Sequence, residues 1–433
     1  MSEGAQIVVL ATLDTKGAEA AHLGDLLVRH GQRPCLMDAG FRGPPWYRPD
    51  VDRDQVAAAK GLDMAAIGRL GREEAIRAMG EGAGRLLAKG VAERRYAGVI
   101  ALGGNQGTAI AGIAFQSLPL GFPKVAVSTV ASGNLRPYFG HKDVAVLFSV
   151  SDLLAGPNFI SQPILEMAAA AVAGMVSAHR PFAPGPVPAV AVTAFGNTQG
   201  AVARVHALLR DRGCQPVPFH ASGAGGSAME ELIEAGLFAG VIDLTAHELV
   251  GEVFGQDIYT PTRPGRLTAA GRRGLPQVVA PGGLDYFCFG AAETIPEAYR
   301  GRPVHRHNPY NTNVRTSAAE LRRLGEVVAS RLNAAAPGTA AFLYPQRGWS
   351  EIGSPGGPLH DPEANLELLR SLRAHLLPAV ELHVLDLAIN DPGFAQRAVE
   401  LLGDLGTPYA TPTKVPYGVP KSPAEGEGPW PTR

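Results

Sequence analysis

The chain has 433 residues, 45% hydrophobic and 18% charged, with a formal net charge of -1. That is material for two or three domains with buried cores, and it leaves little room for disorder. The near-neutral balance offers no basic surface for nucleic acid and no acidic tail for a basic partner.

The opening "MSEGAQIVVLATLDTKG" has no basic segment ahead of a long apolar run, so no secretory signal is expected there. No stretch approaches the roughly 20 apolar residues of a membrane helix. Cys35, Cys214 and Cys288 are far apart and odd in number. That argues against a disulfide framework and against a structural zinc site, and it fits a cytoplasmic location.

From Ile7 the chain reads as a buried strand, the turn "ATLDTKG", and an amphipathic helix with Leu23, Leu26 and Leu27 on one face. Gly31 is placed as the helix C-cap and leads into a second strand. "PPWYRPDVDRDQVAAAKGLDMAAIGRLG" then reads as a long loop with one helix, a candidate lid. "YAGVIALGG" is a strand that ends in "GGNQGTA", and "GFPKVAVSTVASG" is another that ends in "STVASGN". "SDLLAGPN" is loop-like, "EMAAAAVAGMVSAH" is a buried helix, and the Pro-rich "RPFAPGPVP" marks a boundary.

Beyond that boundary the pattern repeats. "VAVTAFGNTQGAVARVHALLRDRGCQPVPFHASG" from Val190 parallels the segment from Ile7, with Val205, Leu208 and Leu209 on the helix face and Gly213 as cap. "FAGVIDLTAHE" parallels "YAGVIALGG", and "GLPQVVAPGGLD" parallels "GFPKVAVSTVASG". Apolar strands alternating with helices mean parallel sheets covered on both faces. The expected fold is therefore α/β, two Rossmann-like, doubly wound lobes from an internal duplication. Residues 1–182 form the first lobe, with an insertion of about 40 residues, and 183–433 the second with a C-terminal extension. In that extension "TAAFLYP" and "VELHVLDLAIN" are strand-like around a helix near Glu363–Leu376, extending the second sheet or crossing back to the first. "VPKSPAEGEGPWPTR" reads as disordered.

Ligands of open parallel sheets bind at the carboxyl ends of strands, near the switch in strand order. Gly103, Gly104, Asn105, Gly107 and Thr108 form a turn whose N–H groups, with the following helix dipole, suit a phosphate. The pattern is neither a P-loop nor a clean dinucleotide fingerprint, and close helix–sheet packing is the alternative reading of its glycines; similar loops at several strand ends favour the phosphate. Ser222, Gly223, Gly225 and Gly226 open a second such helix, for which ordinary capping is an equal reading. Ser132 and Gly133 fall in a ligand-facing loop. Thr12 and Asp14 end the first strand, where Asp14 binds a ribose hydroxyl, holds Mg²⁺ or only caps the helix. His247 and Glu248, at a strand end, and Asp285 are the acid–base candidates. Arg315 is an anion clamp or a solvated arginine. His305 and His307 share one face if extended, but no third metal ligand is close in sequence, so no metal residues are assigned. "QRGWSEIGSPGGPLHDPEAN" offers Ser350, Asp361 and Glu363 in a spacing that names no reaction.

Taken in order, "ATLDTKG", "GGNQGTA", "STVASGN", "FHASGAGGSAMEELIEAG", "DLTAHELVGEVFGQ", "APGGLDYFCFG" and "HNPYNTNVRTS" resemble an ATP-binding domain family. That family is typified by the N-terminal domain of the tomato mosaic tobamovirus resistance protein and has many bacterial relatives. The resemblance runs from about Ile7 to about Pro408. It implies paired Rossmann-like subdomains, bound ATP, and a homodimer. The plant proteins carry a further barrel-like enzyme domain, so the resemblance also implies a separately encoded barrel partner here. The expected function is ATP binding, with Mg²⁺, and an enzyme acting on a small acid or sugar between the lobes. The missing P-loop lysine counts against a fast ATPase. Two alternatives stay open: a two-lobed sensor that closes on a small ligand without turnover, and a metal-dependent lyase or hydrolase using His305 and His307.

Overall fold

The computed structural model describes residues 4–260 and 262–409. The tail read as disordered, and the N-terminal three residues, lie outside them.

The first lobe is a five-stranded parallel sheet in the order β2-β1-β3-β4-β5. Its strands are β1 (Gln6–Ala11), β2 (Arg33–Asp38), β3 (Tyr96–Gly103), β4 (Lys124–Ser128) and β5 (Ala145–Phe148). β1 shows why both faces are covered. Val8 and Leu10 point into a core with the helices Arg72–Ala92 and Asn105–Phe115. Ile7, Val9 and Ala11 point into another with Leu13–Arg29 and Ser161–Ala178. The two-residue period of the strand sorts a continuous apolar run onto two faces.

The second lobe repeats this order. Its strands are β6 (Ala189–Ala194), β7 (Gln215–His220), β8 (Gly240–Thr245) and β9 (Gln277–Gly282), then β10 (Tyr286–Phe289), β11 (Val304–Asn308), β12 (Asn311–Arg315), β13 (Ala340–Pro345) and β14 (Glu381–Leu385). Read from the β7 edge, the six-stranded parallel sheet runs β7-β6-β8-β9-β13-β14, the first lobe's order with one strand added. The C-terminal elements therefore extend the second sheet, and the helix expected near Glu363–Leu376 is Pro362–His375.

Two features depart from the sequence reading. The insertion holds two helices rather than one: Arg53–Lys60 and Met64–Arg69 bury Val56 and Ile67 against Arg72–Ala92. A Cβ at Gly82 would stand 2.0 Å from Val56 O, so the helices meet at a glycine. The second departure is a three-stranded antiparallel sheet, β10-β12-β11, inserted between β9 and β13. Its strands are short and two carry polar residues, so period-two apolarity does not announce them.

Between the lobes, Arg136 donates to Ser222 O and Tyr259 O at 2.9 and 2.8 Å. Glu231 accepts from Lys142 at 2.6 Å and pairs with His141 at 2.7 Å. Burial pushes the Glu231 carboxyl up, but these two partners bring it down to about 2 from an ordinary 4.5. A depressed carboxyl contributes stability that is present above pH 4.5 and is lost as pH falls toward 2. Glu231→Gln is therefore expected to cost about 2 kcal/mol at neutral pH. Urea denaturation of variant and wild type should show that gap closing as the solution is acidified.

Candidate functional site

The strand order places a switch point in each lobe, between β1 and β3 and between β6 and β8. In the first lobe Leu10 stands opposite Ala101, so Thr12 and Gly103 emerge side by side at the carboxyl edge. Gly104 is the N-cap of Asn105–Phe115. The first N–H groups of that helix have no intrahelical acceptor and face the edge.

The glycines of this turn are not equivalent. A Cβ at Gly103 would sit 2.8 Å from Gly107 Cα, so packing requires that glycine. A Cβ at Gly104 would meet nothing nearer than Thr129 Oγ1 at 3.5 Å, and its φ of -81° suits any residue. Neither packing nor backbone conformation asks for glycine at 104. Thr108 bonds inward, donating to Gly104 O and pairing with Ser128 Oγ at 2.6 Å. Asn105 Oδ1 accepts from Tyr138. Asp14 accepts from Arg42 N and Gly43 N through Oδ2, while its buried Oδ1 has no hydrogen-bond partner. Thr12 Oγ1 pairs with Thr15. Ser132 and Gly133 are exposed in the turn after β4.

The second glycine-rich loop is already filled. Gly223 N and Gly226 N both donate to Glu248 Oε1, at 2.6 and 3.0 Å. The anion at this helix N-terminus is thus the protein's own carboxylate. Glu248 Oε2 in turn accepts from Arg266 Nε at 2.6 Å. Arg266, fully buried, also binds Glu230 and Asp243, each at 2.8 Å. A Cβ at Gly225 would fall 2.0 Å from His220 O and one at Gly223 2.2 Å from Tyr259 O, so close packing accounts for these glycines. Ser222 contributes its carbonyl to Arg136.

His247 leads out of β8 at the second switch point, apart from Glu248's ion cluster. Its Nδ1 lies 2.7 Å from Gly283 O. A carbonyl only accepts, so Nδ1 carries hydrogen. Gly283 has φ +72°, and a Cβ there would meet His247 Cβ at 2.9 Å, so this glycine makes the room the imidazole occupies. The rings of Phe195, Tyr286 and Tyr259 surround it at 5.0, 5.1 and 6.0 Å. Asp257 Oδ2 lies 3.3 Å from Nε2, and Cys288 in β10 completes a group whose ligand atoms all fall within 4.8 Å of one another. Burial opposes charge on His247, but Cys288 and Asp257 outweigh it and raise its proton affinity. Burial pushes the Cys288 thiol up, against the pull of His247.

Asp285 has a partner outside this group: Oδ2 accepts from Ser350 Oγ at 2.7 Å, and Oδ1 has none. Burial raises its carboxyl despite Arg315. Arg315 is buried and donates to Asp285 O, Thr316 and the Asp361 carbonyl, an internal clamp rather than a solvated side chain. His305 and His307 lie on β11 with ring centroids 6.2 Å apart. Among the described residues they join no third metal ligand. His307 instead lines a pocket of about 120 Å³ with Phe195, Asn197, His220, Tyr259 and Asn313. A larger cleft of about 710 Å³ lies between the lobes, with Gln116, Arg136, Lys142, Glu231 and Arg263 on its walls. Of the expected ligand residues, only Gly223 lines it.

The sequence matches the family described as "Uncharacterised protein family (UPF0261)", its N-terminal domain over residues 5–181 and its C-terminal domain over 187–405. The chain belongs to this family. A UPF0261 protein of Rhizobium meliloti is 40% identical over 408 residues, covering 93% of this chain and 100% of that protein. One from Clostridium tetani is 38% identical over 392 residues, covering 90% and 96%. The ToMV resistance protein Tm-1(GCR237) of Solanum lycopersicum is 37% identical over 316 residues, 71% of this chain and 41% of that protein. Among solved structures, a C2-type ketoreductase from a modular polyketide synthase aligns at 16% identity, covering 88% of this chain and 81% of that one. Its TM-score of 0.22 carries no argument about the fold. No helix among the described residues is long and apolar enough to cross a membrane.

The sequence reading did not find Asp257, Cys288, Asn313 or Arg266. The partners of Cys288 are residues 31 and 41 positions away in sequence, without fixed motif spacing.

Proposed function

We propose that this UPF0261 member binds a nucleotide, ATP with Mg²⁺, at the switch point of its first lobe. Gly104 carries the reading: it is a glycine that neither packing nor backbone geometry needs, at the open N-terminus of a helix. A phosphate drawn to that N-terminus uses the backbone approach that a side chain at 104 would block. Asp14, with its unpartnered Oδ1, is the residue at the same edge for a ribose hydroxyl or a hydrated Mg²⁺. The family resemblance in the ordered motifs supports ATP over other anions. In this reading the protein is a cytoplasmic homodimer that works with a separately encoded barrel enzyme on a small acid or sugar.

Calorimetric titration of ATP, ADP and AMP, with and without Mg²⁺, tests it on wild type and Gly104→Val. ATP is expected to bind at roughly micromolar Kd, and the variant to lose at least about tenfold in affinity while its thermal melt is unchanged. A wild type that binds no nucleotide removes the reading. ATP turnover with candidate small acids then separates an enzyme from a sensor.

A further inference from the structure

His247, Asp257 and Cys288 come from three separate segments, yet their side chains converge at the second lobe's switch point. All three are buried; the Cys288 residue is 0% exposed and His247 1%. His247 Nε2 has no hydrogen-bond partner, although Asp257 Oδ2 is 3.3 Å away. The other nitrogen is fixed as a donor to Gly283 O, the arrangement by which metal-bound histidines are oriented. Asp257 is itself held by Tyr259 N through Oδ1 and by Cys288 N through Oδ2. Asn313 stands opposite Cys288 in register, donates to its Sγ at 3.2 Å, and has a buried Oδ1 without a partner.

We propose that His247 Nε2, Asp257 Oδ2 and Cys288 Sγ are the protein ligands of a Zn²⁺-type transition metal. An imidazole, a carboxylate and a thiolate form a donor set that selects zinc over Mg²⁺ or Ca²⁺. The site is therefore separate from any Mg²⁺ that accompanies a nucleotide in the first lobe. Binding converts the Cys288 thiol to thiolate and releases that proton to solvent; no redox change is involved. The space between Nε2, Oδ2 and Sγ accepts either a proton or the metal, so the two compete. Three protein ligands leave a fourth position. Phe195, Tyr259 and Asn313, all neighbours of the cluster, also line the 120 Å³ pocket, so that position is supplied by water from the pocket.

Chelator-stripped protein titrated with Zn²⁺ and with Co²⁺ tests the proposal. The expected result is about one metal per chain. The Co²⁺ form should show a thiolate-to-metal charge-transfer band and tetrahedral d–d absorption. Cys288→Ser should abolish the charge-transfer band and weaken Zn²⁺ binding roughly a hundredfold, while Cys35→Ser, in the other lobe, keeps both. Stripped wild type that remains folded and binds neither ion stoichiometrically overturns the proposal. So does a Cys288→Ser protein that keeps the band. Should Cys288→Ser not fold, the wild-type cobalt spectrum decides: a thiolate band supports the site, and a spectrum of oxygen and nitrogen ligands alone refutes it.

Discussion

Arg266→Met is expected to destabilise the second lobe by about 3–5 kcal/mol or more, the cost of leaving buried charge without its partner. The guanidinium is fully buried and directs Nε at Glu248, Nη1 at Glu230 and Nη2 at Asp243. Burial opposes its charge, and the three carboxylates more than offset that, so its proton is held well above the ordinary arginine value. Methionine fills much of the volume but leaves three carboxylates facing one another. Lysine should rescue little, since one ammonium cannot reproduce three divergent donors. The pH dependence gives a second readout. Burial raises the Asp243 carboxyl even with Arg266 and Thr193 opposing it. A carboxyl raised in the folded state binds its proton more tightly folded than unfolded, so it favours folding as pH falls. Without Arg266 that effect grows, and the gap to wild type should narrow as pH falls below neutrality. Urea midpoints across that range check it; a gap independent of pH would locate the damage in lost packing instead.

The same hub makes Gly226→Ala severe. The new methyl would stand 1.6 Å from Glu248 Oε2 and 2.4 Å from Arg266 Nε. Glu248 cannot step aside cheaply, because Gly223 N, Gly226 N and Arg266 fix it. A loss of about 3 kcal/mol is expected, as for a broken buried ion pair. The equivalent change at the first lobe's turn, Gly104→Ala, has room and should stay within about 1 kcal/mol of wild type. Paired thermal melts test the contrast. Equal destabilisation by both substitutions would mean that the two glycine-rich turns do the same structural work, and the argument from Gly104 would fail with it.

That contrast marks the limit of reading loops from composition. "GGNQGTA" and "SGAGGSAMEE" look alike as sequence, each a run of glycines before a helix. In space one turn has its donors taken by Glu248, a residue that the sequence offered as a catalytic candidate, and the other keeps an open edge. The acceptor at the filled turn comes from 22 residues away, across a strand crossover, and no local pattern reports it. Arg315 and Asp285 illustrate the same point, since Arg315 is buried against the turn before β10 and the loop around 361, and Asp285 against the loop around 350.

By itself the sequence determined the α/β class, the parallel sheets, and the repeated strand order. Continuous apolar strands and amphipathic helices are local and periodic, and the duplication repeats them. It also pointed to His247, because a histidine at a strand end is visible in one dimension. Only the tertiary structure decided what surrounds that histidine. Asp257 follows the helix Glu248–Phe254, and Cys288 sits in a four-residue strand of a small antiparallel sheet, so their meeting depends on where β9 ends and how the inserted sheet folds back. Charges and ligands converge through packing at long sequence separation, and packing, unlike periodicity, leaves no spacing to read.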